Sequence, residues 1–122
     1  DNGVQIIDIS DPANIVAKDA ATDGANGFTK LKVTEDVEIF TCGSRTYAMV
    51  ASPGDHSVQM IDISNPANII AVDTATDGAN GFTELGGATS VDPFTIGSSQ
   101  YAIATGFNDD GVQMIGMACS RS

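Results

Sequence analysis

Along this chain apolar and polar residues alternate over short stretches, and no segment carries a long 3.6-residue period. Such runs, bounded by Gly, Pro, Asn and Asp, are the signature of half-buried strands. The pattern predicts strands at residues 4–10, 15–22, 37–42, 46–51, 58–64, 69–76, 91–96 and 100–105. The punctuation between them has the chemistry of turns. Pro12 and Pro66 follow Asp11 and Asn65 and stop the preceding strands, and Gly43-Ser44 and Gly97-Ser98 make short hairpins. Asp23-Gly24 with Asn26-Gly27, and again Asp77-Gly78 with Asn80-Gly81, place two positive-φ dipeptides in one loop.

The strands repeat. Val4-Gln5-Ile6-Ile7-Asp8-Ile9-Ser10 returns as Val58-Gln59-Met60-Ile61-Asp62-Ile63-Ser64, and residues 21–29 return unchanged as 75–83, all at an offset of 54. Of the 54 positions in 4–57, 30 are identical to their partners. The units are therefore 4–57 and 58–111, with a partial third copy over 112–117 and a tail, 118–122, outside the repeat. Four short strands in about 50 residues is the size of a propeller blade. The expected fold is all-β: about two four-stranded β-propeller blades, circularly permuted relative to the repeat and cut from a larger propeller. Opening on Asp1 without an initiator Met or a leader, the chain reads as processed or trimmed upstream.

Tyr47-Ala48-Met49-Val50-Ala51, a Gly/Asp turn, and Val58 to Pro66 resemble the LVIVD repeat, as do Val4 to Pro12 and Tyr101-Ala102-Ile103-Ala104 with Val112 to Ile115. Gly116 stands where the motif has Asp8 and Asp62. The resemblance implies a propeller-forming repeat of bacterial or archaeal surface or secreted proteins, hence an extracellular or cell-surface setting. It carries no catalytic residues.

Charge narrows the partners. Sixteen acidic residues against five basic ones give a net charge of −11, which repels nucleic acid and anionic membrane surfaces. No apolar run is long enough to insert in a bilayer as a helix. Of the acids, 13 are Asp and 3 are Glu, a split that suits turns and not helices. Cys42 aligns with Ile96 and reads as a small apolar strand residue, and Cys119 falls in the tail.

Candidate chemistry concentrates in the acidic loops. Asp19, Asp23 and Asn26, repeated as Asp73, Asp77 and Asn80, offer oxygen ligands of the kind Ca2+ takes. The order is not that of an EF-hand loop and no Glu closes the set; the other reading is a tight turn needing positive φ at Gly24, Gly27, Gly78 and Gly81. Asp8 and Asp62 are ligands, general bases or structural acceptors of turn N–H groups. Asn108-Asp109-Asp110-Gly111 reads as a hairpin turn, and His56, whose repeat partner is Asp110, as a turn residue without a role. No nucleophile elbow, phosphate loop or zinc spacing occurs. Phe28 and Phe82 are expected between adjacent blades. The function expected is a non-catalytic binding or scaffold module of an extracellular repeat protein. The alternatives are an enzyme with its site on the axis of a complete propeller, or a calcium-dependent adhesion array. Unfinished blades at both ends invite head-to-tail self-association, in which three chains would make about six blades.

Overall fold

The structure, a computed structural model, describes residues 2–117. Nine strands occur in chain order: β1 (Gly3–Asp8), β2 (Val16–Thr22), β3 (Asp36–Cys42), β4 (Arg45–Ser52), β5 (Ser57–Asp62), β6 (Ile70–Thr76), β7 (Ala88–Ile96), β8 (Ser99–Gly106) and β9 (Gly111–Met117). A 3-10 turn, Pro53–Asp55, links β4 to β5. Among the described residues no helix is long and apolar enough to cross a membrane. The strands form three antiparallel meanders, β1-β2, β3-β4-β5-β6 and β7-β8-β9. The all-β, blade-like architecture expected from the repeat is therefore what the chain adopts.

Equivalent strands keep the offset of 54: β1 and β5 start at Gly3 and Ser57, β4 and β8 at Arg45 and Ser99. Three boundaries differ from the sequence pattern by two residues or more, each for a local reason. Strands β1 and β5 stop two residues early, because the Asp8 and Asp62 carboxylates accept the N–H of Ser10 (2.8 Å) and Ser64 (2.9 Å) and turn the chain there. Strand β7 starts at Ala88, ahead of Val91, through a register shift between Ala88 and Ser90.

The central sheet is covered on both faces, which is why β4 reads as a continuous apolar run. Ala48 and Val50 point toward β1-β2, together with Ala21, Phe28, Leu31, Ile61 and Ile69. Met49 and Ala51 point the other way, against Leu85, Val91, Ala102, Ala104 and Ile115. Strand alternation thus builds two seams from one strand. A bulge in β6 sorts its residues between them. Met60 faces Asp73 and Ile61 faces Ala71, so Val72 is the extra residue. Before it, Ile69 and Ala71 join the first seam; after it, Ala75 joins the second.

Val33 and Gly87 occupy the same repeat position, and both are left-handed, at φ 55° and 65°. Glycine accepts this conformation, whereas a β-branched residue is strained there by about 1–2 kcal/mol. Val33 is also half-exposed, so little packing opposes its removal. We expect Val33→Gly to raise the stability by up to about 1 kcal/mol after the entropic cost of glycine. Urea denaturation checks this; a lower midpoint would show that the strain is relieved elsewhere.

Candidate functional site

The repeated loops between blades are built from latches. Asp23 Oδ1 accepts the N–H of Leu31 at 2.9 Å, and Asp77 Oδ1 accepts that of Leu85 at 3.1 Å. Each carboxylate draws the loop back on itself and sets a fully buried leucine into a seam. Asn26 and Asn80 are left-handed, as are Gly24, Gly27, Gly78 and Gly81. The loop therefore has the positive-φ geometry that the dipeptides called for.

Asp19 acts across the first seam. Its Oδ2 accepts the N–H of Ile69, 50 residues away, at 2.8 Å, and its Oδ1 accepts the N–H of Ala20 at 2.8 Å. These two bonds, that from Ile69 first, hold the Asp19 carboxyl below the ordinary carboxylate value. Asp19, Asn26 and Asp73 line one open groove of about 700 Å3 between the first two sheets, while Asn80 lies with Asp73 in a cavity of the second seam. Asp23 and Asp77 line neither and are turned to their latches. Among the described residues no group of three or more His, Cys, Asp or Glu side chains converges as a metal site would require.

The Asp8 carboxyl is held below the usual range, first by the Ser10 hydroxyl (2.6 Å) and then by the Ser10 N–H. For Asp62, burial pushes the carboxyl up, but the Ser64 N–H and hydroxyl and the Arg45 guanidinium at 2.9 Å outweigh it, leaving it lowered. A lowered folded value means that the charged form stabilises the fold: the contribution is complete above the unfolded value and is lost as the pH falls through the folded one. Asp19→Asn, which keeps one oxygen for two N–H donors, is expected to melt below the parent at neutral pH. The gap should close as the pH is taken below 3.8, the ordinary value. A gap that persists into acid would show that the charge of Asp19 is not what its two donors need.

Three features were misread or missed in the sequence. Cys42 is not a simple apolar filler: it is buried and disulfide-bonded, and the only other cysteine of the chain, Cys119, lies outside the described residues. His56 has a role, since its Nδ1 accepts the N–H of Gly87 at 2.8 Å and ties β5 to the linker ahead of β7. The third is a repeated glutamine. Gln59 Nε2 donates to the carbonyl of Asp73 (3.1 Å) while its Oε1 takes the N–H of Lys30 (3.3 Å), and Gln5 Nε2 donates to the carbonyl of Asp19 (2.6 Å). One polar residue retained in three copies of an apolar strand, as Gln5, Gln59 and Gln113, was the signal available.

Stacked antiparallel sheets, related by a fixed offset and latched through their linkers, define a tandem β-repeat protein of the blade-like kind. The family model of the LVIVD repeat matches residues 1–22 and 44–77. Those two segments carry the LVIVD repeat, as the motifs suggested. No curated protein and no solved structure matches it.

Proposed function

We propose that this chain is a non-catalytic structural module of an extracellular protein, one that works by stacking blade on blade. The reading rests on one contrast between equivalent residues. Val91 is 1% exposed in the second seam, whereas its partner Val37 is 48% exposed on the open part of the central sheet. Val58 is 2% exposed, whereas its partner Val112 is 58% exposed on the outer face of the third sheet. Ile103 and Met114 are exposed beside Val112, where Met49 is buried and Met60 partly buried. Among the described residues both halves of a seam thus stand uncovered, apolar surface of the kind another blade complements. The disulfide at Cys42 favours an oxidising compartment, in keeping with the surface or secreted setting that the family resemblance implies.

A second copy of the chain is a neighbour with the matching face, so head-to-tail self-association follows from the same reading. Sedimentation of the parent and of Met114→Lys over a range of concentrations tests it. Association of the parent that the lysine abolishes is the expected result. A parent that stays monomeric at the highest concentration reached would overturn the stacking role.

A further inference from the structure

Side chains take three consecutive amides of each linker, and the two linkers match residue for residue. In the first, Leu31 gives its N–H to Asp23 Oδ1 (2.9 Å), Lys32 to Asp55 Oδ2 (3.0 Å) and Val33 to Asn2 Oδ1 (3.1 Å). In the second, Leu85 gives to Asp77 Oδ1 (3.1 Å), Gly86 to Asp109 Oδ2 (2.8 Å) and Gly87 to His56 Nδ1 (2.8 Å). Each acceptor stands 54 residues from its counterpart. The backbone bonds match as well: the carbonyls of Asn2 and His56 accept the N–H of Asp23 and Asp77, at 2.8 and 2.9 Å. Only the third acceptor changes its chemistry, from an amide oxygen in one linker to an imidazole nitrogen in the other.

That change alters what the linker does as the pH falls. An amide oxygen accepts at any pH. Imidazole changes charge between about pH 5 and 8, and once it is protonated both of its nitrogens are donors. Nδ1–H then meets the Gly87 N–H donor to donor, and the bond is lost. His56 is exposed, so a proton reaches it in the folded chain, while Gly87 is buried and left-handed at φ 65°. The charged groups around the latch are engaged elsewhere. Asp55, beside His56 in its turn, holds Lys32, whose side chain lies against Gly54; Asp77, after β6, holds Leu85; and Asp109, ahead of β9, holds Gly86. Glu84, on the linker itself, lies against Gly111. Carboxylates ordinarily keep their charge throughout that range, so the other two latches of the linker stay closed.

We propose that His56 makes the second linker a pH-sensitive latch. It is closed at Gly87 while the imidazole is neutral and open there once the ring is protonated, and the first linker, held by Asn2, stays closed throughout. Asp109 ties the linker to the third sheet, and His56 ties it to the β4–β5 turn of the central sheet. Protonation therefore loosens the linker from the central sheet and leaves Asp77 to hold Leu85, the fully buried side chain that the linker contributes to the second seam. The latch lies within the linker and the turns that flank it, and it does not depend on stacking against another chain.

Amide hydrogen exchange of the full chain tests this, read by NMR at about pH 7.5 and 5.5 and corrected for the intrinsic effect of pH on exchange. Protection of Gly87 should fall about tenfold or more at the lower pH, the loss of one buried hydrogen bond. Protection of Val33 should stay unchanged. His56→Asn, which gives the second linker the residue that the first already uses, should keep Gly87 protected at both pH values. Asn2→His should carry the pH dependence over to Val33. A Gly87 amide equally protected at the two pH values overturns the proposal, as does a loss that Val33 shares in the parent or that persists in His56→Asn.

Discussion

Phe28→Ala is expected to cost about 3–5 kcal/mol, the usual toll of deleting a buried phenylalanine, and Phe82→Ala distinctly less. The rings have the same neighbours in sequence, since residues 21–29 and 75–83 are identical. What differs is the roof. Phe28 packs with Ile69 and Ala71 and is 3% exposed, whereas Phe82 is only partly buried and opens onto the cavity beside β9. A ring already in partial contact with solvent loses less on truncation, because less apolar area leaves water when the chain folds. Against a total stability of about 5–15 kcal/mol, the Phe28 change alone lowers the denaturation midpoint markedly. Equal costs for the two would mean that the seams are closed to the same degree.

Leu31→Ala and Leu85→Ala provide the matched comparison. Both leucines are fully buried, and both are set in place by an aspartate latch, from Asp23 and Asp77. Each substitution is expected to cost about 2–5 kcal/mol, and the two should agree closely, since the cost depends on how far each site can collapse and the sites are alike. Chemical denaturation of the four variants side by side tests the pattern: equal leucines, unequal phenylalanines. Unequal leucines would show that the repeat does not build equivalent linkers.

Much of this was legible in the sequence because the repeat turns one observation into two. The offset of 54 located every strand, and the paired Gly and Asn positions gave the left-handed loop residues directly. Burial of Phe28 followed from its recurrence, although its partner is half open, because a repeat signal cannot say which copy has a complete neighbour. Other features left no local trace. The latch from Asp23 spans 8 residues and that from Asp19 spans 50, and only the folded linker brings donor and acceptor together. Strand ends at Asp8 and Asp62 were overrun because the carboxylate that stops the strand sits inside the alternating pattern. His56 and Cys42 do not recur in the other copy, so the reasoning that rewarded recurrence undervalued both.

The central claim is that one four-stranded sheet is clamped between two others through both faces of β4. Native-state hydrogen exchange resolved by residue tests it most directly, since protection tracks the depth of burial and the cooperativity of opening. Ala48 to Ala51, buried on alternating faces, should exchange slowest. The amides of Leu31 and Leu85, held by their aspartates, should come next, and those of β1 and β9 should exchange fastest. Uniform protection across the nine strands, or a β4 that exchanges as fast as β1, would contradict the account.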